Sequence, residues 1–203
     1  MNTDKRKLLE QIRADILSEN ICPDLAKQAT NLVMGVGSID ADVMFVGEAP
    51  GRDEDKQGEP FVGAAGRVLN QALVNNQLER ADVYITNIVK YRPPNNRDPE
   101  PEEKRAFWPF LLQEIKTIGP KLIVPLGRHS MGYFLPEESI SKAHGRVKNV
   151  EITKDKGQKQ LIAVMPIYHP AATIYNRQLK ADFEADFAKI KEIINQITKK
   201  EEK

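Results

Sequence analysis

Cysteine is almost missing from this chain: Cys22 is the only one in 203 residues. A single thiol excludes an intrachain disulfide, so cysteine gives no sign of an oxidising compartment. Long apolar runs are missing as well, and none approaches the ~20 residues needed to span a bilayer. The N-terminus, Met1-Asn2-Thr3-Asp4-Lys5-Arg6-Lys7, lacks the apolar core of a secretory signal. These absences lead us to expect a cytoplasmic protein that does not engage membranes. Net charge is only +1, so there is no global electrostatic signature of a nucleic-acid binder. Any such face must be built from local Arg and Lys. Neither a Gly-Lys-Ser/Thr phosphate loop nor a dinucleotide-binding glycine fingerprint occurs, which argues against a nucleotide-binding enzyme. There is no internal repeat, and no low-complexity tract beyond the polar tail Lys199–Lys203.

What is present reads as one α/β domain spanning residues 1–203, with 40% hydrophobic residues to fill its core. Leu8, Leu9, Ile12, Ile16 and Leu17 recur at helical intervals over Asp4–Glu19. Short apolar runs at Asp42–Val46, Val83–Val89, Leu122–Leu126 and Leu161–Met165 predict core strands. Helical stretches at Gly66–Asn75, Pro101–Ile118 and Arg128–Phe134 separate them. The alternation predicts a three-layer α/β/α sandwich around a central, mainly parallel four-stranded sheet. Pro99-Glu100-Pro101-Glu102-Glu103 marks a helix start, with acids at the positive end of the dipole. Val147–Thr153 and Gln160–Val164 flank Lys154-Asp155-Lys156-Gly157-Gln158, a hairpin that would make the sheet mixed on that side. A last helix is expected over Ala181–Ile197, its stripe of Phe183, Phe187, Ile190, Ile194 and Ile197 facing the core.

The richest segment follows the run Val43-Met44-Phe45-Val46. It reads Gly47-Glu48-Ala49-Pro50-Gly51, then Gly58, then Pro60-Phe61-Val62-Gly63-Ala64-Ala65-Gly66. A buried strand ending in a glycine-rich loop lets backbone approach a flat or phosphorylated ligand closely. Two more segments follow or form apolar runs. One is Thr86-Asn87-Ile88-Val89-Lys90, leading into Arg92-Pro93-Pro94-Asn95-Asn96-Arg97. The other is Tyr168-His169-Pro170-Ala171-Ala172. Glu48, Asn87 and His169 should therefore sit near the ends of parallel strands, where ligands of open α/β sheets bind.

These four motifs, in this order from about Thr30 to Asn176, resemble the family 4 type of uracil-DNA glycosylase. The resemblance implies a DNA-repair hydrolase that breaks the N-glycosidic bond of uracil and leaves an abasic site. It acts on single- or double-stranded uracil-containing DNA, as a monomer, on a base turned out of the stack. His169 would donate to uracil O2 as charge develops there. Asn87 can pair with O4 and N3 in one geometry and reject cytosine. Phe61 would stack on the base, with Gly47 and Ala49 beside it. Glu48 either positions the water or holds the loop by accepting backbone N–H bonds. Lys90, Arg92 and Arg97 would grip DNA, and Ile174 would wedge into the vacated stack. His129 and His144 lack comparable motif support and read as structural. The rivals are a catalytically weak uracil- or damaged-DNA-binding relative and a glycosylase for other deaminated bases.

The chain departs from the resemblance at one point. The family carries four cysteines holding a 4Fe–4S cluster, and such a cluster needs about four thiolates. Here two of those places hold Tyr91 and Phe107, and the other two fall near Asn20 to Pro23, around the lone Cys22. We therefore expect no cluster, no other metal and no organic cofactor. Tyr91 and Phe107 should instead meet and fill the volume.

Overall fold

The computed structural model describes residues 2–153 and 159–201. Its elements are α1 (Asn2–Ser18), α2 (Pro23–Gln28), β1 (Val36–Gly37), β2 (Val43–Gly47), α3 (Arg52–Gln57), α4 (Ala64–Asn75) and β3 (Tyr84–Asn87). A short 3-10 turn at Pro94–Asn96 precedes α5 (Pro101–Ile118), β4 (Leu122–Pro125), α6 (Arg128–Phe134) and α7 (Ile140–Ala143). The chain ends with β5 (Lys148–Thr153), β6 (Lys159–Val164), α8 (Pro170–Thr173), α9 (Arg177–Phe187) and α10 (Ile190–Glu201).

The strands form one sheet in the order β1-β3-β2-β4-β6-β5. The four inner strands are parallel, as the sequence predicts. The two edge strands run antiparallel to their neighbours, which raises the count from four to six. β5 is the first arm of the expected hairpin, while its tip, 154–158, lies outside the described residues. β1 has only two residues, too short for any alternation to show.

Side chains alternate across the inner strands and build a core on each face. Met44 and Val46 point to one side, where they meet α1, α5 and α6 through Ile12, Ile16, Leu111, Ile115 and Met131. Val43 and Phe45 point to the other, against Leu69 and Leu73 of α4 and Phe183, Phe187 and Ile190 near the C-terminus. Phe45 stacks on Phe187 with ring centroids 5.5 Å apart. The result is the three-layer α/β/α arrangement. No described helix is long and apolar enough to cross a membrane.

The last helix differs from the expectation. It begins earlier, at Arg177, because Asn176 Oδ1 accepts from the amides of Gln178 and Leu179. It also breaks after Phe187. Lys189 N–H bonds back only three residues, to Asp186, and the buried Asp186 carboxylate holds His144 and Lys189.

Candidate active site

β2, β3, β4 and β6 all deliver their carboxyl ends to the same edge. Gly47 closes β2 and pairs in register with Asn87, the last residue of β3. Gly127 follows β4, and its amide donates to Ile167 of the segment that carries His169. The topology thus gathers residues from separate motifs into one crevice, as open α/β sheets do.

A cleft of about 640 Å³ lies there, lined by Ala49, Phe61, Asn87, Arg92 and His169 among others. Gly47 forms the floor between two of them. A Cβ on Gly47 would stand 2.2 Å from Asn87 Oδ1 and 2.6 Å from Phe61 Cζ, so only glycine lets the amide and the ring come together. Phe61 has a left-handed backbone, φ 54°, which costs a non-glycine residue energy and must be held from outside. Glu54 supplies that hold: its carboxylate accepts from the amides of Gly51 (3.1 Å), Val62 (3.0 Å) and Gly63 (2.8 Å). One side chain so fastens both glycine-rich loops. Sequence reasoning assigned loop-holding to Glu48 as one option; among the described residues that work falls to Glu54.

Asn87 is only 2% exposed, yet its Oδ1 has no hydrogen-bond partner. A buried carbonyl left this way costs about 1–3 kcal/mol, and Asn87 is one of the residues that line the cleft. His169 stands across from it, its ring 6.0 Å from that of Phe61. His169 Nδ1 accepts from the amide of Ala171 at 3.2 Å, so the ring proton of the neutral form sits on Nε2. Burial, with His129 nearby, draws His169 down to about 4. The ring is a neutral donor at pH 7.

Glu48 opens on a neighbouring cleft of about 370 Å³, which it shares with Gly127, His129 and Tyr168. His169 and Ala171 line both spaces. Burial, and then Asp98, push the Glu48 carboxyl up to about 7, against the opposing pull of Lys104 and Arg128. Its Oε1 is buried without a hydrogen-bond partner, 3.4 Å from His129 Nδ1 but off the bonding line. The other ring nitrogen of His129 lies 3.2 Å from Asp98 Oδ2. Glu48, Asp98 and His129 are the one convergent set of possible metal donors among the described residues. An imidazole gives a metal one nitrogen, whereas here each nitrogen faces a different carboxylate. The ring thus stands between the two carboxylates, with its one hydrogen bond among the described residues accepted at Nε2 from Arg128 Nε–H.

Two expected DNA contacts change meaning. Lys90 is fully buried, its ammonium bonded to Thr86 Oγ1 (2.7 Å), the Asn87 carbonyl (2.7 Å) and Glu114 (2.5 Å). It cannot reach a phosphate. Its charge instead sits beneath the strand end that presents Asn87. Arg97 is at the surface but is tied to both oxygens of Glu103. Arg92 remains on the cleft wall, its Nε on Asn96. Beyond α8, Ile174 is 41% exposed and Tyr175, which sequence reasoning passed over, is 95% exposed. Thr173 is buried and donates to the Pro170 carbonyl.

The four-thiolate cluster of the resemblance does not fit the donors present. Cys22 is the chain's sole thiol, and burial together with Glu103 pushes it up to about 11, keeping it protonated. Tyr91 and Phe107 are buried and in contact, as expected from the sequence.

A family model described as the uracil DNA glycosylase superfamily covers residues 34–195. A type-4 uracil-DNA glycosylase of Archaeoglobus fulgidus is 47% identical over 190 residues, 91% of this chain and 92% of that one. One from Sulfurisphaera tokodaii is 48% identical over 191 residues, covering 91% and 84%. One from Thermotoga maritima is 39% identical over 192 residues, covering 94% and 96%. On the family model and these identities, the chain belongs to the uracil DNA glycosylase superfamily, among the type-4 enzymes.

Proposed function

We propose that this protein hydrolyses the bond between uracil and deoxyribose in DNA, releasing free uracil and an abasic site, without an iron–sulfur cluster. One observation carries the reading: the buried, unpartnered Oδ1 of Asn87, a residue that lines the same cleft as Phe61 and His169. Uracil N3–H donates to that oxygen, and the Asn87 amide N–H donates to uracil O4. Cytosine carries a lone pair at N3 and an amino group at C4, so it leaves both groups of Asn87 mismatched in a dry pocket. Unpaired buried polar groups discriminate strongly. Phe61 stacks on the base, a contact worth ~1–3 kcal/mol.

The C1′–N1 bond breaks with its electron pair moving onto the base, so negative charge grows on uracil O2. His169, neutral with its proton on Nε2, donates there. The contact strengthens as charge develops, which lowers the barrier more than it tightens ground-state binding. Water attacks C1′ and loses a proton to the Glu48 carboxylate, whose position across His169 from the base pocket suits the sugar side. Arg92 meets a flanking phosphate, and Ile174 with Tyr175 fills the gap the base leaves.

The test is purified protein, in chelator, on single- and double-stranded oligonucleotides containing uracil, cytosine or thymine. Abasic sites should form only from uracil. Stoichiometric binding of uracil-DNA with no turnover would sink the reading and leave a binding protein. His169→Ala should slow single-turnover excision by ~100-fold or more while DNA affinity changes little.

A further inference from the structure

His129 stands at the start of α6, in a position that the base-pocket chemistry leaves without a role. Its ring joins the half-buried Glu48 to the exposed Asp98, at 3.4 Å from Nδ1 and 3.2 Å from Nε2. A third group completes the picture: the Arg128 Nε–H points at the same Nε2 from 3.0 Å. We propose that His129 is the proton exit of the active site, passing the proton that Glu48 takes from the attacking water out to Asp98 and solvent. The inference rests on the hydrolytic reading above.

The ring as it stands fits the end of such a transfer, with Nε2 accepting from Arg128; the start requires the Arg128 Nε–H to turn away from Nε2. Before it, Nε2 carries the proton and donates to the Asp98 carboxylate, leaving Nδ1 bare to accept from protonated Glu48. After it, Nδ1 carries the proton toward Glu48, and bare Nε2 accepts from Arg128. The balance is complete. One water proton enters at Nδ1, the Nε2 proton leaves to Asp98 and then to bulk water, and Glu48 returns to its carboxylate. The uracil anion takes its proton from solvent. Exchange with water at the open side of the ring restores the starting tautomer.

Charges from three elements surround the chain. Glu48 is faced by Asp98, by Lys104 of α5 and by Arg128 of α6. His129 is faced by Asp98, Arg128 and Lys104, and lies near His169. Burial and the two cations keep His129 below its ordinary value against the pull of Asp98, so the ring is neutral at pH 7 and carries the proton by gaining one at Nδ1 as it loses one at Nε2. The exposed Asp98, 66% accessible at its side chain, sits where a proton can leave. The ring is the group that stands 3.4 Å from the unpartnered Glu48 Oε1.

The experiment is single-turnover excision of uracil from an oligonucleotide between pH 5 and 9. Wild type, His129→Gln, His129→Ala and Asp98→Asn are compared, each checked for a native unfolding midpoint. His129→Gln keeps hydrogen-bonding groups but cannot carry a proton. It should be slower by about tenfold above pH 7, and Asp98→Asn by less, since water replaces an exposed carboxylate. His129→Ala should recover rate with added imidazole, in proportion to its concentration. A purely structural histidine gives no such rescue. Wild-type rates in His129→Gln, or a slow His129→Ala that imidazole leaves slow, overturns the proposal while wild type remains active. Inactive wild type would instead fail the glycosylase reading itself.

Discussion

The rings of Tyr91 and Phe107 meet edge to face, centroids 5.9 Å apart and planes at 71°. Cys22, Trp108 and the α1 residues Leu9, Ile12 and Ile16 belong to the same apolar cluster. The contact thus binds the N-terminal segment, the loop that carries Arg92 and the helix after Pro101. A metal cluster fixes such segments by bonds to thiolates; here the segments are held by buried area. Phe107→Ala should cost about 3–5 kcal/mol, the range for a phenyl group deleted from a core. Tyr91→Ala should cost somewhat less, and the double mutant less than the sum by about 0.5–1.5 kcal/mol, the coupling of an aromatic pair. Denaturant unfolding of the four proteins measures this directly. Elemental analysis of wild type should find no stoichiometric iron; a brown, iron-loaded protein would refute the account.

Lys90 provides a second prediction, because its burial separates two roles that a surface lysine would combine. Lys90→Ala leaves the Glu114 carboxylate buried without its cation, which typically costs 3–5 kcal/mol. It should also loosen Asn87, whose carbonyl it holds, and so lower uracil excision. The salt dependence of DNA binding should not move. Arg92→Ala should do the reverse: stability stays nearly constant, while the slope of log K against log salt falls by about 1. A salt slope altered by Lys90→Ala would show that the lysine reaches phosphate after all.

These residues also show where sequence stops informing. Pro101–Ile118 is legible end to end, since Glu100-Pro101-Glu102-Glu103 starts the helix and Gly119, at φ 71°, ends it. The inner strands are equally legible, and so is the gathering of Phe61, Asn87 and His169 at one cleft, because each sits in a motif of its own. Lys90 lies in the same kind of motif, but nothing in the string says which way a side chain points at a strand end. Glu54 reaches Val62, eight positions on, and His129 faces Glu48, 81 positions back. Such pairings exist only once the fold has formed. The split between α9 and α10 escaped for a related reason: the helical stripe runs through it, and the buried Asp186 that marks the break is held by the distant His144.

Glu54 therefore merits its own test. Its three amide bonds fix the loops that hold Phe61 in a left-handed backbone. Each bond contributes about 0.5–1.5 kcal/mol net, more when the acceptor is charged. Glu54→Ala should release the amides of Gly51, Val62 and Gly63 to faster hydrogen exchange. The effect on catalysis should appear as weakened capture of the base, with overall DNA affinity nearly kept. Glu54→Gln, which retains one acceptor oxygen, should fall between. Unchanged exchange at those three amides in Glu54→Ala would remove the basis for the assignment.

Glu48 links activity and stability through one proton. Only its carboxylate accepts a proton from water, and the group is pushed up to about 7. Excision under single-turnover conditions should therefore rise with pH through about 7 and level off above it. His169, drawn down to about 4, stays neutral across that window and adds no inflection. Glu48→Gln should lower the rate by ~100-fold or more and flatten the rise. The same shift has an opposite consequence for folding. An unfolded Glu titrates near 4.5 and the folded one near 7, so between these values the native state holds the proton more tightly. Its contribution to stability is full below about 4.5 and is lost as pH rises through about 7. At pH 8 the wild type carries an uncompensated charge that Gln removes. With solvent screening discounted, the relief is about 1 kcal/mol, or about 2–4 °C in a chain of this size. Glu48→Gln should thus unfold at a higher temperature than wild type at pH 8, and the gap should close at pH 4.5. A gap that is the same at both values would mean that the carboxyl is not held up by burial, and would remove the reason for expecting the activity to switch on near neutral pH.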